Sequence, residues 1–141
     1  MDERPLNDTY SVAPQIAPEA VPDIAAAGYT TVICNRPDDE VPEPLRASAL
    51  REAVEAAGLR FVENPVRPGQ LTPDVLETQA AAMDAAAGPV LAYCASGNRS
   101  ALVWSIVKAP ELGADGVLAR TRAAGYDHSM FRQQLVEIAS G

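Results

Sequence analysis

The segment Val90-Leu-Ala-Tyr-Cys94-Ala-Ser-Gly-Asn-Arg-Ser100 joins an apolar run of strand length to a glycine-containing loop and then to a helical pattern. Because the run Val90–Cys94 is short and uniformly apolar, it predicts a central strand that is buried on both faces of a sheet. The apolar spacing over residues 99–108 predicts a largely buried helix. This order of strand, loop and helix predicts an α/β domain whose functional site lies at the carboxyl end of the strand.

Strand-length apolar runs and Ala-rich helical stretches alternate along the rest of the chain. The alternation predicts a short, mainly parallel sheet flanked by helices. Pro110 is expected to end the helix that follows the loop. The predicted strands are Thr30–Cys34 and Leu59–Val62, with an extended piece near residues 10–16; the predicted helices cover residues 18–27, 45–57, 73–87, 112–124 and 130–139.

The chain has 141 residues, of which 48% are apolar and 21% are charged, and this balance is typical of one globular domain covering residues 1–141. Its formal net charge is −8. A field of that sign opposes nucleic acid and anionic membrane surfaces, so we expect neither as a partner. A small anionic substrate would therefore be bound by a local group of hydrogen-bond donors.

No run approaches the roughly 20 apolar residues of a membrane helix. The charged residues 1–10 do not contain the apolar core of a signal peptide. We therefore expect a cytoplasmic protein in which Cys34 and Cys94 are free thiols. One histidine, His128, and two cysteines do not provide the ligand spacing of a metal site, and no cofactor is expected.

The loop after the strand has the residues of an anion-binding cup. A helix that begins there directs backbone N–H groups and the positive end of its dipole into the loop. Gly97 permits a positive φ and a close approach of the main chain. Arg99 has a planar guanidinium that suits two oxygens of a phosphate or sulfonate. The amides expected to face a bound anion are those of Ala95, Ser96, Gly97 and Asn98.

Cys94 lies where the same field favours its thiolate over its thiol. A thiolate there would be a nucleophile near neutral pH, and Ser100 would donate a hydrogen bond to it or to a departing thiolate. Arg36 follows the strand Thr30–Cys34 and is a candidate for a second positive group in the pocket. The alternatives are a buried structural cysteine, a Ser100 that only caps the helix, and an Arg36 paired with a nearby carboxylate.

Several segments together resemble the bacterial beta-lactamase-hydrolase-like protein, phosphatase-like domain family, whose members are in some schemes labelled sulfur transferases. The resemblance covers residues 4–127 and is carried by Ser11–Ile16 with Pro18 and Glu19, Gly28–Asp38, Ala57–Val66 and Leu91–Ser100. It implies the fold of the cysteine-dependent dual-specificity phosphatases, a three-layer α/β sandwich. In those enzymes a cysteine attacks phosphorus, an arginine binds the phosphoryl oxygens, and an aspartate on another loop protonates the leaving group.

Carried onto this chain, the resemblance implies Cys94 as the nucleophile, Arg99 as the oxyanion clamp and Ser100 as the helper in breakdown of the intermediate. Two features depart from the phosphatase pattern. Four residues separate Cys94 from Arg99, where the phosphatases have five. The loop expected to hold the acid, Pro65–Gln70, has no carboxylate.

A substitute for the missing acid is expected in the segment Asp38-Asp-Glu40, which follows the Cys34 strand toward the same edge of the sheet. General acid catalysis contributes roughly 10²–10⁴-fold, and an alkyl or aryl oxide leaves poorly without a proton. We name Asp38 as the candidate catalytic acid, with a solvated loop as the alternative.

Three functions are compatible with these residues. The first is a phosphatase-like hydrolase that forms a thiophosphate on Cys94. The second is a sulfurtransferase carrying a Cys94 persulfide, because Cys-x-x-Gly-x-Arg-Ser also resembles the active loop of single-domain rhodaneses and sulfur transfer needs no general acid; the rest of the rhodanese pattern is absent. The third is a non-catalytic anion-binding module.

Two further residues have open interpretations. If the strands that end at Cys34 and Cys94 are adjacent, the two thiols are candidates for a disulfide or persulfide relay, with an inert buried Cys34 as the alternative. His128 lies in a turn between the last two helices and is expected to be structural or exposed, with a role in the pocket as the alternative.

Overall fold

Five short strands form the sheet of the computed structural model, which describes residues 2–141. The strands are β1 (Arg4–Pro5), β2 (Tyr10–Ala13), β3 (Thr31–Cys34), β4 (Arg60–Glu63) and β5 (Val90–Tyr93). They lie in the order β1-β2-β5-β3-β4, with β1 antiparallel to β2 and the other neighbours parallel. Every residue of β2, β3 and β5 is buried, which explains their apolar sequences.

Helices pack on both faces of this sheet. Between residues 2 and 141 the α-helices are α1 (Val21–Ala26), α2 (Ala47–Ala56), α3 (Pro73–Ala85), α4 (Asn98–Ala123) and α5 (Arg132–Ser140). Ile24 of α1 and Leu50 of α2 are buried on one face, whereas Ala82 of α3, Trp104 of α4 and Leu135 of α5 are buried on the other. The predicted α/β fold, a single domain with three layers, is confirmed.

The long helix α4 differs from the prediction, because it runs past Pro110. The expectation that Pro110 ends this helix is wrong: the fixed φ of proline is close to a helical value, and Ala109 beside it is fully buried. The helical conformation is interrupted instead at Gly113, whose φ of 76° and ψ of 163° are open essentially to glycine. The two predicted helices are therefore one element with a kink.

The register of the three central strands defines one edge of the sheet. Tyr93 of β5 lies opposite both Ala13 of β2 and Cys34 of β3. The chain therefore leaves all three strands at the same level, and Cys94 is the first residue beyond the middle one. None of the helices between residues 2 and 141 has the length and apolar character needed to cross a membrane.

Candidate active site

Cys94 is held at the carboxyl edge of the sheet by the strand beside it. Its backbone N–H donates to the carbonyl oxygen of Ala13, at 3.4 Å between nitrogen and oxygen. The residue is only 1% exposed. Its side chain is therefore enclosed by protein groups, and the chemistry of its sulfur depends on what those groups are.

Gly97 provides the main-chain group that faces the sulfur. Its N–H donates to Cys94 Sγ at 3.1 Å. The φ of Gly97 is 91°, in the left-handed region that favours glycine. A side chain at this position would also collide with the hydroxyl of Tyr126. Both the backbone conformation and the packing therefore require glycine at the point where the loop turns its amide toward Cys94.

The rest of the loop leads into the first turn of α4. Ala95, Ser96 and Asn98 are exposed, and the N–H of Asn98 donates to Ser96 Oγ at 3.3 Å. Among the acceptors of residues 2–141, none pairs with the N–H groups of Arg99 and Ser100. Such groups at a helix N-terminus attract negative charge.

Arg99 is fixed by two anchors outside the loop. Its Nη1 and Nη2 bind the two carboxylate oxygens of Glu40 at 2.9 and 2.8 Å, and Nη1 also donates to the carbonyl of Val66 at 2.8 Å. The hydrogen bond to Glu40 raises the pKa of Arg99 above its ordinary value, burial opposes this, and the charge of Cys94 adds to it. Arg99 and Cys94 therefore interact electrostatically.

These contacts use the N–H donors on one side of the Arg99 guanidinium and leave the donors on another side unused. A guanidinium carries five N–H donors, and the contacts to Glu40 and Val66 involve donors on Nη1 and Nη2 only. The Nε–H and the second hydrogen of Nη2 form another forked pair, suited to two oxygens of a tetrahedral anion. Glu40 therefore orients Arg99 without using up its capacity to bind an anion.

The three carboxylates of the acidic segment have separate partners. Asp38 accepts the N–H of Ala47 at 2.8 Å, at the start of α2, and Asp39 pairs with Arg67 at 2.9 Å. The contact with the candidate loop is made by Glu40, whose pKa is lowered by its hydrogen bond to Arg99. A low pKa keeps Glu40 ionised, so it cannot supply a proton at neutral pH. Asp38 as the catalytic acid remains a prediction, without a contact to Cys94 or Arg99 in its support.

The contacts of Arg36 match a pairing with a nearby carboxylate, and those of Cys34 match an inert buried thiol. Arg36 Nε binds Glu40 Oε1 at 3.2 Å, and its Nη1 binds Gln15 Oε1 at 3.2 Å. Cys34 packs beside Tyr93 on the face covered by α1 and α2, while the sulfur of Cys94 faces the loop. Both thiols are free, and burial raises the pKa of Cys34. This arrangement favours an inert Cys34 over a relay.

Ser100 belongs to a closed ring of buried hydrogen bonds beneath the loop. Its Oγ donates to Asn35 Oδ1 at 2.9 Å, and Asn35 Nδ2 donates to Gln79 Oε1 at 3.1 Å. Gln79 Nε2 donates to the hydroxyl of Tyr10 at 2.9 Å, and that hydroxyl donates to the carbonyl of Ser100 at 3.0 Å. In this structure the Ser100 hydroxyl therefore bonds Asn35 rather than Cys94.

The turn after α4 contacts the loop from the other side. The Tyr126 hydroxyl donates to the carbonyl of Ser96 at 2.8 Å, and His128 Nε2 lies 2.7 Å from Asn98 Oδ1. His128, expected to be structural or exposed, is 2% exposed, and burial lowers its pKa. Residues 2–141 bring together no group of three or more histidine, cysteine or acidic side chains that suits a metal ion.

Three features of the site are not predicted by the sequence pattern: Gln79, Tyr126 and the anchoring role of Glu40. Gln79 is an uncharged polar residue in an Ala-rich helix, and nothing in its neighbourhood signals a buried network. Tyr126 lies in the short turn Gly125-Tyr-Asp-His128, where the only signal is a pair of aromatic side chains after a helix-ending glycine. Glu40 lies in the acidic segment in which the sequence predicts a proton donor, and nothing in that segment indicates a contact with Arg99.

Comparisons with known proteins agree with this fold. The family described as beta-lactamase hydrolase-like protein, phosphatase-like domain, matches residues 2–111. The Beta-lactamase hydrolase-like protein of Xylella fastidiosa (strain Temecula1) is 27% identical over 124 residues, which cover 86% of this chain and 29% of that protein. The chain thus spans less than a third of the length of this curated relative.

Solved structures extend the comparison. A candidate phosphatase from Neisseria meningitidis (nma1982) is 31% identical, with a TM-score of 0.85 and coverage of 98% of this chain and 99% of that chain. A Cys→Ser variant of P. aeruginosa TpbA, solved in complex with pTyr, is 16% identical, with a TM-score of 0.64 and coverage of 99% and 91%. The second similarity shows the fold alone. With most of its length matched by the family and a phosphatase-like fold around Cys94, the chain belongs to the beta-lactamase hydrolase-like protein, phosphatase-like domain family.

Proposed function

We propose that this chain is a cysteine-dependent phosphatase-like hydrolase that acts on a phosphate ester through a thiophosphate on Cys94. The observation that carries the proposal is the 3.1 Å contact from the Gly97 N–H to Cys94 Sγ. A directed amide stabilises a thiolate, and the same cup suits the oxygens of a phosphoryl group. The forked donors of Arg99 that Glu40 leaves unused complete the anion site.

The reaction would proceed in two displacements. The Cys94 thiolate attacks phosphorus, the S–P bond forms, and the P–O bond to the alcohol breaks, so that the leaving group departs with the electron pair as an oxide. Water then attacks phosphorus, the S–P bond breaks, and phosphate and the Cys94 thiolate are released with one proton passing to solvent. Arg99 and the loop amides bind the equatorial oxygens in both steps.

The acidic segment limits the class of substrate. Glu40 is held ionised by Arg99, and Asp38 and Asp39 are bonded to Ala47 and Arg67. An aryl phosphate is therefore the substrate class that this site favours, because a phenoxide is a better leaving group than an alkoxide and depends less on a general acid. The pTyr bound by the TpbA variant is an aryl phosphate and supports this class by analogy of fold.

The contact from the Gly97 N–H to Cys94 Sγ also favours a second candidate, a sulfurtransferase. A sulfane donor such as thiosulfate needs no protonated leaving group: the Cys94 thiolate attacks the outer sulfur, an S–S bond forms, and sulfite leaves with the electrons of the broken bond. The Cys94 persulfide then transfers its outer sulfur to a thiolate or to cyanide. We infer a cytoplasmic setting for either reaction, because both cysteines are free thiols.

One set of assays separates these candidates. The wild type, Cys94→Ser and the control Cys34→Ala are assayed for hydrolysis of an aryl phosphate and for sulfite release from thiosulfate. Phosphate release that is lost only in Cys94→Ser supports the hydrolase, and sulfite release lost only in Cys94→Ser supports the transferase. Tight vanadate binding with neither turnover assigns the chain to a non-catalytic anion-binding module and overturns both.

A further inference from the structure

The peptide group between Ser96 and Gly97 is held at both ends. Its N–H donates to Cys94 Sγ at 3.1 Å, and its carbonyl oxygen accepts the Tyr126 hydroxyl at 2.8 Å. A trans peptide group is planar, with its N–H and its C=O pointing in opposite directions. Tyr126 therefore fixes the orientation of the plane that presents an N–H to the sulfur, although it makes no contact with the sulfur itself.

This peptide group needs such a restraint. Gly97 has no side chain to restrict its φ and ψ, so the plane that precedes it can rotate at little cost. A rotation by half a turn would direct the Ser96 carbonyl oxygen at Cys94. That oxygen carries partial negative charge and would disfavour both a thiolate and a bound anion. The hydrogen bond from Tyr126 stabilises the orientation that the proposed chemistry requires.

Tyr126 is itself firmly placed. The residue is 7% exposed, its ring stacks on that of His128 with the ring centroids 6.3 Å apart, and the Arg4 guanidinium lies 5.4 Å from its ring centroid. Burial raises the pKa of Tyr126, which keeps its hydroxyl protonated and able to donate. The hydroxyl also lies where a side chain at Gly97 would have to be.

We propose that Tyr126 is a positioning residue of the Cys94 loop, which locks the Ser96–Gly97 peptide with its N–H toward the sulfur. Its hydrogen bond also polarises that peptide and strengthens the N–H as a donor. Tyr126 lies beyond residues 2–111, the part of the chain that the family matches. The inference rests on the proposed function in that Cys94 is the reacting group.

The test compares Tyr126→Phe with Tyr29→Phe. The two tyrosines are 7% and 8% exposed, and the Tyr29 hydroxyl bonds Glu3 rather than the loop, so the control loses an equivalent hydroxyl elsewhere. The first readout is the alkylation midpoint, the pH at which the rate of Cys94 alkylation by iodoacetamide, measured by peptide mass spectrometry, is half its maximum. The second readout is the affinity for vanadate. For Tyr126→Phe we expect a higher alkylation midpoint and about fivefold weaker vanadate binding, the loss of one hydrogen bond.

A second variant excludes a simple loss of folding. Replacing Tyr126 with ortho-fluorotyrosine keeps the ring and strengthens the phenol as a donor, so the alkylation midpoint should move to lower pH. Equal midpoints and equal vanadate affinities in the wild type and both Tyr126 variants would overturn the inference. These readouts need no turnover: a shifted midpoint in a protein without phosphatase or sulfurtransferase activity supports the positioning role and contradicts only the proposed function.

Discussion

Arg99 shows how a single residue of the site depends on a distant carboxylate. A free arginine side chain populates many rotamers, and holding it in one costs conformational entropy. Glu40 offsets this cost with two charge-assisted hydrogen bonds of 2.8 and 2.9 Å. The side chain of Arg99 is 15% exposed and that of Glu40 26% exposed, so the pair is less screened than a surface ion pair.

We predict that Glu40→Gln lowers kcat for an aryl phosphate about fivefold, because the amide keeps only part of the anchor on Arg99. KM should change little, since removal of the carboxylate charge also reduces its repulsion of the anionic substrate. Steady-state kinetics check both values. The control is Asp39→Asn, which breaks the exposed pair with Arg67; a similar fall in kcat in this control would contradict the anchoring role.

Gly97→Ala tests the turn of the loop. A non-glycine residue at a φ of 91° costs about 1–2 kcal/mol in backbone strain, and its Cβ would meet the Tyr126 hydroxyl. We expect loss of vanadate binding and a free energy of unfolding lowered by more than the strain alone. Gly28→Ala is the matched control, because Gly28 has a φ of 97° but open space around it. Equal losses of stability in the two variants would show that the Tyr126 contact contributes nothing.

At the scale of the elements, α3 supports the loop without touching it. Gln79, which is fully buried, links the end of β3 to Tyr10 of β2 through its two amide atoms. It also accepts a hydrogen bond from Asn64 Nδ2 at 3.1 Å. The side-chain amide of one helix residue thus joins three segments that meet below Ser100.

Gln79→Leu should therefore lower the free energy of unfolding by about 2–3 kcal/mol, because three hydrogen bonds are lost and polar groups remain buried with fewer partners. Urea denaturation measures the change. The same substitution at Gln133, an exposed residue of α5, serves as the control and should change stability by about 0.5 kcal/mol or less. A Gln79→Leu protein as stable as that control would contradict the role of the ring in stability.

The elements were predictable where one local pattern determines them. The apolar run of β5 and the Thr72 N-cap of α3, whose side chain accepts the Val75 N–H, follow from neighbouring residues alone. The continuation of α4 past Pro110 could not be predicted, because packing of Ala109 against the core decides it. The loop residues Cys94, Gly97 and Arg99 were identified from their order in the chain.

The contacts that organise the site were not predictable in this way. Arg99 and Glu40 are 59 positions apart, and Tyr126 and Ser96 are 30 apart. Hydrophobic periodicity reports which face of an element is buried and contains no information on which polar partners meet across the sheet edge. Such partners follow only from the complete packing of the chain.

At the scale of the whole molecule, acid sensitivity follows from one buried histidine. Burial lowers the pKa of His128 below its ordinary value of 6.5. As the pH falls below about 6.5, the unfolded chain binds a proton that the folded protein still excludes, so stability decreases with decreasing pH in this range. The lowered pKa values of Glu40, Asp115 and Asp127 act in the same direction at lower pH.

We predict that the free energy of unfolding falls between about pH 7 and about pH 5, and that His128→Gln abolishes this slope. His128 is the only histidine of the sequence, so no second imidazole masks the effect. Urea unfolding at several pH values measures the slope in both proteins. A His128→Gln protein that keeps the wild-type slope would contradict the prediction.

The closed hydrogen-bond ring beneath the loop constrains how such a protein diversifies. Each of its four members, Ser100, Asn35, Gln79 and Tyr10, both donates and accepts. A change at Asn35, Gln79 or Tyr10 leaves two neighbours unmatched, whereas a change at Ser100 leaves only Asn35 unmatched, because Ser100 accepts through its backbone carbonyl. The exposed side chains of Arg67 and Asp39 pair with each other in solvent and can vary without affecting the ring. Substitutions in this exposed pair are therefore expected to be tolerated more readily than single substitutions in the buried ring.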